Sequence, residues 1–192
     1  MNRVYVKSGR LLSQRRFLDS LKAGRSFATN GPLLGFTLNG RELGQEVSLP
    51  AGKHELSARV TLRSIIPVNR LEIVRNGQVI ADVPLQGDRT RASTTIRLST
   101  DESGWYLLRA QGEGPVYPVL DVYPYATTGA IYVTVGGRPI RSSSDADYFL
   151  AWIDRLERAA QEHPAWNTDQ EKAAVLDDIR RARAEFQRRR GS

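Results

Sequence analysis

The amino-acid sequence predicts a mainly β protein: an immunoglobulin-like antiparallel β-sandwich with an N-terminal strand–helix–strand segment and a C-terminal helical hairpin. Between residues 31 and 137, seven or eight short apolar strands are separated by turns rich in Gly and Pro, which is the pattern of a β-sandwich. Asn39-Gly40 and Asn76-Gly77 each lie between apolar strands, and such dipeptides favour type I′ hairpin turns. No helical pattern separates these strands, which argues against a parallel α/β topology.

Residues 1–30 form the first of three predicted parts. Arg3–Lys7 alternates apolar and polar side chains, as a strand does. Ser13 is placed to cap a helix that stops at Gly24, and Ser26–Thr29 is short and extended. The helix carries its apolar side chains on one face: Phe17, Leu18 and Leu21. This segment is too small to be a domain by itself.

Residues 31–141 form the predicted sandwich. From His54 to Leu62 the side chains alternate, so every second one is expected to point inward. Alternation of this kind predicts the following inter-sheet core: Leu56, Val60, Ile73, Trp105, Leu107 and Val133. Because Trp105 is placed in the core, its replacement by Ala is expected to cost about 3–5 kcal/mol.

Residues 142–192 are predicted to form a helical hairpin packed on the preceding parts. Ser144 is expected to cap the first helix, and His163-Pro164 ends it. Thr168 and Glu171 have the spacing of a capping box for the second helix. The first helix has one apolar stripe: Tyr148, Phe149, Trp152, Ile153, Leu156, Ala159 and Ala160. The second helix also has an apolar face: Val175, Leu176, Ile179 and Phe186.

The charge of the chain is concentrated at its N-terminus. The 192 residues include 28 Lys or Arg and 21 Asp or Glu, and residues 1–25 alone hold seven basic residues and one acidic residue. This basic segment has few aromatic residues, so we predict no nucleic-acid binding. No apolar run approaches the roughly 18 residues of a membrane span, and residues 1–25 contain no unbroken apolar stretch. We therefore expect neither membrane insertion nor an uncleaved secretory signal.

The residue types exclude much catalytic chemistry. The chain has no Cys and two His, so thiolate catalysis and multi-histidine metal sites are excluded. Ser142–Asp145 has no base in a sequence context that pairs with it, and carboxylates at the start of a helix are common without a catalytic role. The sequence predicts no catalytic residue, no metal ligand and no cofactor in this chain. Tyr117, Tyr123 and Tyr125 lie in a Pro-rich connection that could be a binding loop, although a stiff crossover between sheets explains it better.

Six strings, in order along the chain, resemble a known family: residues 2–6, 24–34, 71–77, 103–109, 126–133 and 145–155. They resemble the C-terminal region of CehA/McbA-type metallohydrolases, which belong to the PHP (polymerase and histidinol phosphatase) superfamily. The resemblance covers nearly the whole chain. One departure is local: Thr127 stands where many relatives have His, and Gly129-Ala130 replaces their Ser-Pro.

The resemblance implies that catalysis and metal binding belong to a separate domain. In that family a PHP barrel precedes the region seen here and binds divalent metal, mostly through His with Asp and Glu. Residues 1–30 would then be the end of that barrel. The junction with the missing barrel would be formed by Arg25, Thr29, Asn30, Gly31 and Pro32.

These observations predict a non-catalytic accessory region or fragment of a PHP-type metal-dependent hydrolase. The alternative is a stand-alone binding module for carbohydrate, cell surface or protein. The expected partner is the missing PHP barrel or a second copy of this chain. Residues 1–30 would either fold back onto the sandwich or pair with another copy, because their apolar side chains need a surface to cover.

Overall fold

The computed structural model describes residues 2–9, 12–119 and 123–191. These residues form two compact units, Met1–Ile140 and Arg141–Ser192. The first unit contains one helix and eleven strands: β1 Arg3–Val6, α1 Gln14–Lys22, β2 Ser26–Thr29, β3 Leu33–Leu38, β4 Glu46–Leu49, β5 His54–Arg63, β6 Arg70–Arg75, β7 Gln78–Asp82, β8 Arg91–Thr100, β9 Gly104–Gln111, β10 Tyr125–Thr128 and β11 Ile131–Val135. The second contains two helices: α2 Ser143–Glu162 and α3 Asp169–Gly191.

The strands form two sheets. Sheet B has the order β3-β5-β8 and is antiparallel throughout. In sheet A, β9 pairs with β6 and with both β10 and β11; β7 extends the sheet beyond β6, and β2 and β1 extend it beyond β10. Strand β4 pairs with β11 in parallel. The chain passes repeatedly between the two sheets, as in an immunoglobulin-like Greek key, so the predicted fold class is confirmed.

The two Asn-Gly turns have different outcomes. Both have the positive φ angles of a type I′ turn, +48° and +83° at Asn76-Gly77 and +47° and +76° at Asn39-Gly40. The first joins the antiparallel strands β6 and β7, as predicted. The second reverses the chain locally, but β3 pairs with β5 while β4 pairs with β11 of the other sheet. The predicted type I′ turn at Asn39-Gly40 is therefore confirmed, closed by both backbone hydrogen bonds between Leu38 and Arg41. It does not join two paired strands, because a turn sets only local direction and not strand pairing.

The core between the sheets contains most of the side chains predicted for it. Buried residues come from both sheets, including Leu56, Val60, Ile73 and Val133. The prediction is wrong for Trp105 and Leu107, which are half-buried on the outer face of sheet A. The side chains of β9 that point inward are Tyr106, Leu108 and Ala110, all fully buried. Residues 105–108 of β9 are all apolar, so hydrophobicity does not alternate along this part of the strand. The pairing of β9 with β6 therefore decides which face is buried.

Residues 1–30 fold back onto sheet A. The predicted strand–helix–strand order is confirmed, with Ser13 Oγ accepting a hydrogen bond from Arg16 N at 3.3 Å. Strand β1 pairs with β2, and β2 pairs with β10. Gly129, at the departure from the family string, donates its N–H to the Ser26 carbonyl at 2.7 Å. A Cβ at this position would overlap the Gly24 carbonyl oxygen, so only glycine permits this close approach.

The second unit is an antiparallel helical hairpin with capped helix ends. Helix α2 is capped by Ser142 and not by Ser144 as predicted: Ser142 is extended, and its Oγ accepts from Asp145 N at 3.2 Å. Ser144 already lies within the helix. At the start of α3 the predicted cap is confirmed, because Thr168 Oγ1 accepts from Glu171 N at 3.1 Å. The Glu171 carboxylate accepts from Asn167 N at 3.2 Å.

Helix α3 packs along one side of α2. The buried residues of α2, Ala146, Ile153 and Ala160, recur every seven residues, as in coiled-coil packing. The Phe149 and Phe186 rings stack with centroids 4.9 Å apart. The predicted stripe is only partly covered, because four of its large side chains are 46–59% exposed: Tyr148, Phe149, Trp152 and Leu156. Among the described residues, no helix is both long enough and apolar enough to cross a membrane.

Candidate binding surfaces

Four of the five predicted junction residues form a clasp within the first unit. Thr29 Oγ1 donates to the Pro32 carbonyl at 2.6 Å and accepts from Gly31 N at 2.9 Å. The Asn30 side chain donates through Nδ2 to the Tyr123 carbonyl and accepts through Oδ1 from Tyr125 N, both at 2.7 Å. The clasp therefore attaches the end of β2 to the start of β10.

Arg25 lies outside this clasp, just before β2. Its backbone N donates to the Ser20 carbonyl at 3.0 Å, and its carbonyl accepts from Lys7 N at 2.9 Å. These bonds join the end of α1 to the end of β1. The structure thus brings together Thr29–Pro32 but places Arg25 with the helix.

Of the three tyrosines of the predicted binding loop, two contact each other and the third is exposed to solvent. The Tyr123 and Tyr125 rings meet edge to face with centroids 6.1 Å apart and are connected to Asn30 through their backbones. Tyr117 is 80% exposed. It precedes the cis Pro118 in a turn closed by a 3.1 Å bond from Val116 N to the Val119 carbonyl. Residues 120–122 of this loop lie outside the described residues.

Residues 1–30 leave an apolar surface exposed. Strand β1 is the last strand at its end of sheet A, so one edge has no partner strand among the described residues. Five large apolar side chains of this segment are 41–78% exposed: Val4, Tyr5, Leu12, Leu18 and Leu21. Tyr5 stacks on Phe27 at 5.0 Å between ring centroids. Val4 and Tyr5 are neighbours on β1 and therefore point to opposite faces of sheet A. We call these five side chains together the N-terminal apolar surface.

The outer face of sheet B is basic, and the sequence prediction missed it. Four exposed arginines occupy outward positions: Arg59 and Arg63 on β5, and Arg91 and Arg97 on β8. None of their guanidinium groups makes a hydrogen bond or salt bridge within the described part of the chain. The strand register places Arg63 directly opposite Arg91. Arginines at alternate positions with Ser and Thr were a visible signal, but the near balance of charge across residues 26–144 hid it.

A groove of about 730 Å³ lies at the end of this basic face. Its lining includes Arg63 and Arg91, the hydroxyl residues Thr61 and Ser93, and Gly35 on β3, together with apolar residues such as Leu33, Leu62, Pro84 and Ile96. A Cβ at position 35 would overlap the Thr61 hydroxyl oxygen, so glycine lets this side chain lie across β3.

The outer face of sheet A contains a partly buried ion pair. The Glu72 side chain is 5% exposed, and the Arg109 side chain, on the neighbouring strand, is 30% exposed. Arg109 donates to Glu72 Oε2 from Nε at 2.8 Å and from Nη2 at 2.7 Å. Arg70 Nη1 lies 4.0 Å from Glu72 Oε1. These groups satisfy one another, so the pair is structural.

Two carboxyl groups have pKa values lowered by local hydrogen bonds. Hydrogen bonds from Arg188 and Arg189 lower the pKa of the Glu185 carboxyl to about 2. The hydroxyl and the backbone N–H of Thr90 lower the pKa of Asp88 in the same way. His54 Nε2 lies 2.9 Å from the Pro50 carbonyl oxygen. Within the described ranges, no three side chains of the His, Asp or Glu type are grouped so that they could hold a metal ion.

Fold and surfaces together define an immunoglobulin-like β-sandwich module followed by a helical hairpin. No family model matches the chain, and no curated protein matches it. A solved structure with some likeness is the CARDB domain of PF1109 from Pyrococcus furiosus, determined in solution by NMR. It is 16% identical, with a TM-score of 0.30, and the match covers 54% of this chain and 95% of that domain. Likeness at this level assigns neither a family nor a function.

Proposed function

We propose that this chain is a non-catalytic accessory region of a PHP-type metal-dependent hydrolase. The colinear strings that resemble CehA/McbA-type enzymes support this function. The metal and the catalytic residues would belong to the barrel, and residues 1–30 would dock against it. In this chain the expected contribution is a stable platform, with no cofactor of its own.

The N-terminal apolar surface is the observation that carries the proposal. Monomeric proteins rarely leave large apolar patches uncovered, and an unpartnered strand edge is normally paired or protected. Here both features occur together on β1 and α1. Because Val4 and Tyr5 point to opposite faces of β1, one docked surface covers at most four of the five side chains, and burying their exposed halves would contribute about 1 kcal/mol each, or roughly 4 kcal/mol. That is sufficient to hold two domains of one chain together.

The intact mass of the protein in its source cells tests this proposal. Antibodies against the recombinant chain would capture the native polypeptide, whose mass and metal content would then be measured. We expect a polypeptide much larger than 21.5 kDa that carries divalent metal. A native polypeptide of 21.5 kDa with no bound hydrolase would overturn the proposal.

Self-association is the other way to cover the N-terminal apolar surface. Residues 1–25 hold seven basic residues against one acidic residue, so two copies meeting here repel each other. Salt screens this repulsion, with a Debye length of about 8 Å at physiological ionic strength, and dimerisation should strengthen as salt rises. Sedimentation of the wild type and of Leu18→Ser/Leu21→Ser would show it. Leu33→Ser, at an exposed leucine of sheet B, is the matched control.

A stand-alone binding module is the second candidate function, and the basic outer face of sheet B favours it. Four arginines that make no hydrogen bond or salt bridge within the described part of the chain concentrate positive charge on one face, which favours an anionic ligand. The same mass measurement separates the two candidates, since a free module would be found at the mass of this chain.

A further inference from the structure

The arginines on the outer face of sheet B are concentrated and only partly compensated, since Arg91 interacts electrostatically with Asp88. Along β5 and β8 this face has one acidic residue, Glu55, against the four arginines. Acidic groups also flank β8: Asp101 and Glu102 follow it, and Asp88 lies in the turn before it, where its carboxylate accepts both hydrogen bonds of Thr90 at 2.7 and 3.0 Å. Arg63 and Arg91 lie directly opposite each other on neighbouring strands. Like charges in this arrangement destabilise the folded state. A bound anion would relieve this repulsion.

The spacing of the arginines fits an extended anion better than a compact one. Arg63 and Arg91 form one group at the end of the sheet, next to the groove. Arg59 lies four residues along β5, and Arg97 lies six residues along β8. At about 3.4 Å per residue, the second group is roughly 14–20 Å from the first. One small anion cannot reach both groups, whereas a chain with repeated negative charges can.

The residues between the arginines indicate which polyanion fits. Every other outward position on β5 and β8, apart from Glu55, carries a hydroxyl: Ser57, Thr61, Ser93, Thr95 and Ser99. Hydroxyls both donate and accept hydrogen bonds, so they suit a ligand that is itself rich in hydroxyls. No aromatic side chain lies among these positions, although binding to single-stranded nucleic acid normally uses aromatic stacking. Large apolar side chains for insertion into a lipid surface are also missing from the two strands' outward positions.

We infer that the outer face of sheet B binds an acidic polysaccharide, with its carboxylate or sulfate groups on the arginines and its hydroxyls on the Ser and Thr residues. The groove of about 730 Å³ at Arg63 and Arg91 is within the size range of small-ligand sites and would hold the sugar units at one end of the chain. The inference goes beyond the accessory function and holds whether this region is attached to a barrel or free.

Isothermal titration with defined oligosaccharides tests the inference on the full chain. The probes are a polygalacturonate oligomer for carboxylates, a heparin-derived oligomer for sulfates, a neutral glucan oligomer, and single- and double-stranded DNA of matched charge. We expect saturable binding of at least one acidic oligosaccharide, weakened by added salt, with weaker binding of both DNAs and none of the neutral glucan. Comparing the polygalacturonate and heparin-derived oligomers distinguishes recognition of carboxylates from recognition of sulfates.

Matched variants separate this surface from general electrostatics. Arg63→Gln/Arg91→Gln removes two positive charges from the proposed site, and Arg41→Gln/Arg138→Gln removes two exposed ones from turns elsewhere in the same unit. We expect at least a tenfold loss of affinity in the first variant and less than a threefold loss in the second, with unchanged circular dichroism in both. Equal losses, tighter binding of DNA, equal binding of the neutral glucan, or no saturable binding at millimolar oligosaccharide would each overturn the inference. None of these outcomes alters the mass measurement that tests the accessory function.

Discussion

Two adjacent leucines of β9 offer a direct test of which face of this strand is buried. Leu108 is fully buried and lies opposite Ile73 of β6, whereas Leu107 is half-buried on the outer face, opposite Val74. Leu107→Ala and Leu108→Ala remove the same atoms from neighbouring positions of one strand. Any difference between the two variants therefore reports the environment and not the chemistry.

The expected magnitudes follow from burial. Removing the outer carbons of Leu108 costs about 2 kcal/mol in transfer free energy, and the cavity left between the sheets brings the loss to about 3–5 kcal/mol. Leu107 is only half-buried and water can occupy the space that it leaves, so Leu107→Ala loses about half of that transfer free energy, about 1 kcal/mol. At a urea m-value of about 2 kcal/mol/M, the unfolding midpoint should fall by roughly 2 M for Leu108→Ala and roughly 0.5 M for Leu107→Ala.

The assay must report on the first unit alone, since two compact units need not unfold together. Trp152→Phe and Trp166→Phe, made in every protein compared, leave Trp105 as the sole tryptophan. Its fluorescence then follows unfolding of the sandwich in urea. A loss for Leu107→Ala equal to or larger than that for Leu108→Ala would mean that the register of β9 with β6 is wrong.

Three further predictions follow from single contacts. Arg109→Met leaves the buried Glu72 carboxylate with only Arg70 Nη1, 4.0 Å away, and should cost about 1–3 kcal/mol in urea unfolding, while Arg109→Met/Glu72→Met should recover most of that loss; a neutral single variant contradicts this. Because the folded pKa of Glu185 is about 2, its contribution is full above its ordinary value of 4.5 and is lost as pH falls toward 2. Helicity should therefore fall more in the wild type than in Glu185→Gln over that range, and identical profiles by circular dichroism would argue against the pairing. Asn30→Ala removes both hydrogen bonds that the Asn30 side chain makes in the clasp and should cost about 1–3 kcal/mol of unfolding free energy. Hydrogen exchange at the Tyr125 amide should become faster; unchanged exchange would count against the clasp.

Local elements were predictable from the sequence because their causes are local. The alternation from His54 to Leu62 matches the buried and exposed positions of β5, since a strand turns every second side chain to the same face. The caps at Ser13 and Thr168 were also identified correctly, because a cap depends on residues three positions apart. At the start of α2, three consecutive serines are equivalent candidates, and the prediction chose the wrong one.

The candidate sites could be predicted only in part from the sequence, because they join residues that are far apart along the chain. The predicted junction residues Thr29–Pro32 do act together, but their partners Tyr123 and Tyr125 are more than 90 positions away. The basic face required the register between β5 and β8, because only the register shows that Arg63 and Arg91 are neighbours. The Glu72–Arg109 pair likewise joins residues of two strands 37 positions apart.

The sequence by itself determined the class of the fold, the order of most elements, and the residue types that exclude thiolate and multi-histidine metal chemistry. Only the tertiary structure decided which face of β9 is buried, which sheet receives β4, and which charged side chains meet. The physical reason is that periodicity defines two faces of a strand without saying which is inside. That choice is made by pairing with distant strands, where burial of Leu108 or Leu107 differs by several kcal/mol.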